Sequence, residues 1–141
     1  MRNSLSLLLV LLLLTACGGE TFSEDRFPAA QTQAELAAKR VLNHGTLEPV
    51  LEIGQPLDQW QFKVGIIVRS SLTGDAPAIV SLSDRSGVKY TVDTSTPEAI
   101  RKTLRSGDFG FATGRVEDVL HEPDPRSVSV TLQLTDWEPR K

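Results

Sequence analysis

The sequence predicts a mostly β protein, a five-stranded barrel with one short helix between its third and fourth strands, preceded by an N-terminal helix. From residue 48 onward, apolar and polar residues alternate, which is typical of strands with one buried face. Turn residues at 84–87 separate two such runs, as in a β-hairpin. A hydroxyl, a proline and an acid (Thr96, Pro97 and Glu98) then open a short helix, with Thr96 as its expected cap. A β-sandwich is the alternative fold.

The first sixteen residues have the pattern of a secretory signal peptide. Arg2 supplies a short positive region, and residues 5–14 are Leu and Val interrupted only by Ser6. As a helix this run would span about 15 Å, half of the hydrocarbon core, which suits a signal sequence better than a membrane-spanning anchor. The lone cysteine of the chain, Cys17, follows directly and excludes an intramolecular disulfide.

The residues Leu14, Thr15, Ala16 and Cys17 resemble the lipobox of bacterial lipoprotein precursors. The resemblance implies diacylglyceryl transfer to the Cys17 thiol, cleavage before it, and acylation of the new amine, with palmitate as a typical acyl group. Two or three acyl chains hold a protein stably at a membrane. In a bacterium with two membranes, Gly18 in place of Asp implies, by the enterobacterial sorting rule, the periplasmic face of the outer membrane. The alternative is an ordinary signal peptide with an incidental cysteine.

Four segments are expected along the chain. They are a signal peptide at residues 1–16, a lipid-anchored flexible tether at 17–28, an amphipathic helix at 29–45, and a barrel domain at 48–141. The tether has neither secondary-structure period. The helix has an apolar stripe made mostly of alanine, which buries little area, so we expect it to dock loosely and to end at Gly45.

Alternation also assigns the inward positions of the strands. The first strand should bury Phe62, Val64, Ile66 and Val68, and the hairpin should bury Val80, Leu82, Val88, Tyr90 and Val92. The fourth strand covers residues 109–116, where glycines indicate a bulge, and residues 121–126 follow as a loop. The last strand covers residues 128–135 and ends near Trp137.

Two local motifs carry a resemblance to the OB-fold family of nucleic-acid-binding domains, such as the anticodon-binding domains of class II aminoacyl-tRNA synthetases. Residues 80–88 (VSLSDRSGV) resemble the hairpin of these domains, and residues 107–116 (GDFGFATGRV) resemble their fourth strand. The element order between Gln59 and Glu138 also matches an OB-fold. The resemblance implies a ligand face on the second and third strands and the adjoining loops.

The candidate binding face consists of outward hairpin positions and two loop residues: Ser81, Ser83, Lys89, Thr91, Asp75 and Arg126. It contains no aromatic residue, whereas OB-folds that bind oligonucleotides use aromatic stacking platforms and a positive groove. The part of the chain after Arg2 is also mildly acidic, which disfavours binding to phosphates. We therefore do not expect nucleic acid to be the ligand.

Catalytic and metal-binding patterns are weak. The two histidines, His44 and His121, lie in no metal-spaced cluster, and His121 beside Glu122 and Asp124 is interpreted as part of a solvated loop. The sequence has no phosphate loop or dinucleotide motif. We expect a noncatalytic protein without cofactor or metal that binds an envelope protein or a glycan. The alternative is an OB-type binder of single-stranded nucleic acid or oligosaccharide.

Replacing Cys17 by Ser should abolish lipidation, because only the thiol accepts the diacylglyceryl group. Incorporation of labelled palmitate measures this directly, and Thr21→Ala, outside the lipobox, should incorporate label as the wild type does. Equal labelling of Cys17→Ser and wild type would rule out the lipoprotein interpretation.

Overall fold

The computed structural model describes residues 22–46, 48–69, 77–122 and 127–140. Its five strands are β1 (Pro56–Arg69), β2 (Pro77–Ser83), β3 (Lys89–Val92), β4 (Phe109–Glu122) and β5 (Ser127–Pro139). Helix α1 (Ala29–His44) precedes β1, and the short α2 (Glu98–Arg101) lies between β3 and β4. The strands close a barrel in the order β1-β2-β3-β5-β4. This is the OB-fold-like barrel that the sequence predicts, and its closure excludes the β-sandwich.

All neighbouring strands run antiparallel except β3 and β5, which pair in parallel. The interior is filled from every strand, and the Phe62 and Tyr90 rings meet edge to face with centroids 4.8 Å apart. Leu104, just after α2, is fully buried in the same core. Trp60 and Trp137 are also buried and belong to the same core.

The prediction of strict alternation along β1 is wrong beyond Val64. Val64 pairs with Leu82 but Ile67 pairs with Val80, so β1 carries one extra residue, a β-bulge. The bulge turns Ile67 toward the core and leaves Ile66 70% exposed and Val68 44% exposed. A one-residue shift moves every later side chain to the other face, which is why the predicted inward positions of Ile66 and Val68 fail.

A polar side chain of β2 stabilises this bulge. The Ile66 N–H donates to the Ser81 Oγ at 2.7 Å, so the backbone group freed by the bulge has a partner. At Gly65 a Cβ atom would lie 2.7 Å from the Ser81 Oγ. Glycine at this position therefore allows the close approach on which the hydrogen bond depends.

The expected cap of α2 is also wrong. Thr96 is buried, and its Oγ1 accepts a hydrogen bond from the Leu134 N–H at 3.0 Å instead of capping the helix. The N-cap is Pro97, which makes no side-chain cap bond. Thr96 thus links the β3–β4 connection to β5.

Strand β4 is longer than predicted, and its residue His121 pairs with Val128 rather than lying in a loop.

Helix α1 docks tightly, which corrects the expectation of a loose helix. Its buried side chains are Gln31, Ala34, Glu35, Ala37, Ala38 and Val41, and three of them belong to the barrel core. The Gln31 amide pairs with the backbone of Gln61 in β1, donating to its C=O and accepting from its N–H, both at 2.7 Å. Gly45, at φ +67°, caps the helix as predicted, with its N–H bonded to the Val41 C=O. Hydrogen bonds to the barrel therefore add to the small apolar contact area that the alanine stripe of α1 provides.

Part of the segment 17–28, expected as a flexible tether, contacts the barrel through Phe22, Ser23 and Phe27. The Ser23 N–H and C=O both bond the Gln61 side-chain amide at 2.7 Å. The Phe22 ring packs edge-on against Phe109 and Phe27, with centroids 5.0 and 6.1 Å away. Cys17 lies outside the described residues.

Substituting Gly87 by Val should destabilise the protein by about 1–3 kcal/mol, because Gly87 has φ +94° and a β-branched residue is strained there. Ser83→Ala, at an exposed position of β2 just before the turn, is the matched control and should cost far less. Chemical denaturation measures both. Equal losses would contradict the pairing register of β2 and β3.

Candidate binding face

The candidate binding face lies on the outside of β2 and β3. Ser83, Lys89 and Thr91 are exposed, whereas Ser81 is half-buried and engaged with the bulge of β1. Ser81 pairs with Thr91 across the two strands. The structure therefore brings together these four predicted residues, while Asp75 and Arg126 lie outside the residues it describes.

The pairing register extends this face onto β5. Lys89 pairs with Ser129 and Thr91 pairs with Thr131, and directly paired residues lie on the same side of a sheet. Both β5 residues are half-buried. The alternation of β5 indicates their outward positions, but only the parallel β3–β5 pairing places them beside the hairpin. Together Ser81, Ser83, Thr91, Ser129 and Thr131 form the hydroxyl row.

An aliphatic cluster continues the face where β1 ends and β2 begins. Val68 and Ile79 pair directly, and Ile79 is 51% exposed. Ile66, beside them on β1, is the most exposed large apolar residue of the described chain. Sequence reasoning missed this aliphatic cluster because it assigned Ile66 and Val68 to the core. Only the bulge places them outside.

Aromatic side chains are absent from the exposed surface. The eight aromatic residues of the sequence all fall in the described part of the chain, and none of them is exposed. Phe22 and Phe27 are half-buried, and the other six are buried. The described residues of the candidate binding face thus offer no ring on which a base or a sugar could stack in the manner of oligonucleotide-binding OB-folds.

An ion pair of a buried carboxylate with a partly exposed arginine, which sequence reasoning missed, joins α1 to the β2–β3 turn. Glu35 is 3% exposed and accepts three hydrogen bonds from Arg85: one from its backbone N–H at 2.7 Å and two from its guanidinium at 2.8 and 3.0 Å. These bonds raise the pKa of Arg85 above its usual value. The guanidinium carbon also lies 3.4 Å from the centroid of the Phe27 ring. The pair satisfies a buried carboxylate and positions helix, turn and N-terminal segment together.

Asp84, next to this pair, organises the turn between β2 and β3. Its Oδ1 accepts from the Ser86 N–H at 2.8 Å and from the Ser86 hydroxyl at 2.6 Å. Its Oδ2 accepts from the Tyr90 hydroxyl at 3.0 Å. Burial raises the pKa of Asp84 despite these bonds, and the nearby Glu35 charge adds to the effect. Burial, with the Asp84 charge, also raises the pKa of Tyr90.

A groove of about 490 Å³ lies elsewhere on the barrel, where β4 begins and β5 ends. It is lined by Ser23, Arg26, Phe111, Glu138, Pro139 and Arg140. The guanidinium carbon of Arg26 lies over the Phe111 ring, 3.8 Å from its centroid. The Arg140 Nη1 is buried and has no hydrogen-bond partner among the described residues. The groove therefore presents two cations and one acid.

The described residues contain no group of three His, Cys, Asp or Glu side chains that could hold a metal ion. Among the same residues, no helix is long and apolar enough to cross a membrane. Comparison with known proteins found no matching family model, no matching curated protein and no matching solved structure. The residues of the face must therefore carry the functional argument.

The pH dependence of stability should change when Asp84 is replaced by Asn. Because the pKa of Asp84 is raised above 3.8, the folded state binds a proton more tightly than the unfolded state, so this group's contribution declines as the pH rises through its folded pKa. The introduced amide has no charge to bury, and it can still pair with Ser86 and Tyr90. We therefore expect the free energy of unfolding of Asp84→Asn to increase relative to that of the wild type as the pH rises from about 4.

Denaturation midpoints across mildly acidic to neutral pH measure this difference. Asp58→Asn removes an exposed carboxylate and should keep the wild-type slope. Parallel curves for wild type and Asp84→Asn would show that the Asp84 charge costs the fold nothing.

Proposed function

We propose that this chain is a lipid-anchored envelope lipoprotein whose barrel is a noncatalytic binding module presented to the periplasm. The signal-like first sixteen residues and the lipobox-like residues ending at Cys17 support the anchor. Gly18 supports the outer membrane as its location. The closed barrel supports a binding or scaffold role, because its polar outer face on β2, β3 and β5 offers a surface for contact.

The kind of ligand that we propose follows from the residues of the binding face. The aliphatic cluster (Ile66, Val68 and Ile79) continues into the hydroxyl row, and no exposed aromatic residue of the described chain accompanies them. Protein interfaces combine an apolar centre with a polar rim in this way. An envelope protein is therefore the partner that we propose for the face.

Oligosaccharide or single-stranded nucleic acid is the second candidate ligand. The hydroxyl row favours the oligosaccharide, since Ser83 and Thr91 are exposed and can hydrogen-bond sugar hydroxyls. Nucleic acid has less support, because base stacking needs exposed rings and phosphate binding needs several cations. Lys63 and Lys89 are the cations beside the row in the described strands, each paired with a serine position.

Site-specific photo-cross-linking in whole envelopes tests the protein partner. A photoreactive amino acid at Thr91 or Ile79 should give the same discrete protein adduct, whereas the same group at Gln33, exposed on α1, should not. Ile79→Asp, combined with the probe at Thr91, should remove the adduct because it places a charge in the apolar part of the face.

Equal adducts from all three positions, or an adduct unaffected by Ile79→Asp, would contradict this face as the interface. Single-stranded DNA or RNA should bind no tighter than about 10⁻⁴ M at physiological salt, the weak end of nonspecific binding. Tighter binding that Lys89→Gln weakens would favour the second candidate instead.

A further inference from the structure

Two arginines in the groove, Arg26 and Arg140, have no acidic partner among the described residues. No hydrogen bond or ion pair joins Arg26 to another described residue, and its guanidinium carbon lies over the Phe111 ring. The Arg140 Nη1 is buried without a partner in the described chain, and a buried unpaired donor is costly. The exposed Glu138 is the one acid among the described residues of the lining. Both arginines line the groove, so an anion entering it would meet two cations that have no acidic partner among the described residues.

The position of the groove along the chain identifies the source of that anion. Ser23 lines the groove and is fixed to the barrel through its two hydrogen bonds with Gln61. Cys17 is six residues earlier in the sequence, so the chain between them spans at most about 20 Å. A lipid-bearing Cys17 would therefore hold the groove close to the phosphate layer of the bilayer.

We infer that this groove binds the phosphate of a membrane phospholipid through Arg26 and Arg140, and so holds the barrel against the bilayer with the groove facing the lipid. The inference rests on the lipid anchor proposed above. Arginine suits this ligand because its planar guanidinium donates to phosphate oxygens in pairs. The chain as a whole is acidic, so the attraction is local to the groove. The short connection to the anchor raises the effective concentration of headgroups there and makes a weak site sufficient.

Amide hydrogen exchange on the lipidated full-length mature protein tests the inference. The protein is placed in phosphatidylcholine vesicles containing phosphatidylglycerol, in maltoside micelles, which carry no phosphate, and in the same micelles with millimolar inorganic phosphate. We expect exchange at residues 22–27 and 138–140 to slow by about tenfold in the vesicles relative to both micelle samples. Amides of β2 and β3 report in the same data whether the fold is intact.

The double variant Arg26→Gln and Arg140→Gln should lose this protection. Arg115→Gln is the matched control and should keep it, because Arg115 is an exposed arginine of β4 paired with Glu117, outside the groove. Equal exchange in vesicles and phosphate-free micelles would overturn the inference. Protection by inorganic phosphate in micelles would also overturn it, since the groove would then be a site for soluble anions. Mass spectrometry of the purified protein reports lipidation separately, so a missing lipid would identify failure of the anchor and not of the groove.

Discussion

The ion pair between the buried Glu35 and the partly exposed Arg85 is the interaction on which the arrangement of the N-terminal half depends. A carboxylate that is 3% exposed is stable only with a close cationic partner, and Arg85 supplies both its guanidinium and its backbone N–H. The same guanidinium stacks on Phe27. Helix α1, the hairpin turn and the segment at Phe27 therefore share one contact point.

The parts of the fold that sequence predicts well are those with local signals. Asp84 and Gly87 define the hairpin turn within four residues, and the helix end at Gly45 is equally local. The docking of α1 has no such signal, because Gln31 and Glu35 bind residues 30 and 50 positions away. A glutamine or glutamate on a helix is normally solvent-exposed, so its burial becomes visible only when its distant partner is in place.

The candidate face shows how one added residue limits prediction. Ser83, Lys89 and Thr91 are predicted on the outside because β2 and β3 alternate without interruption. The aliphatic cluster is missed because apolar residues at positions 64, 66, 67 and 68 fit the core in either register. The bulge decides between the registers, and it depends on Gly65 and the Ser81 hydroxyl meeting across two strands. No pattern within β1 alone contains that information.

The parallel pairing of β3 with β5 closes the barrel, and this closure affects how copies of the chain can associate with one another. Each of the five strands of the described chain pairs with a neighbour on both sides, so their backbone groups are largely satisfied within the barrel. An open sheet edge has unpaired backbone groups through which copies of a protein can aggregate. Proteins with such edges protect them with charges, prolines or covering loops. A lipid anchor would concentrate copies on the membrane surface, and a high local concentration favours such aggregation. The closed ring removes the need for that protection and leaves the outer side chains free to be selected for recognition.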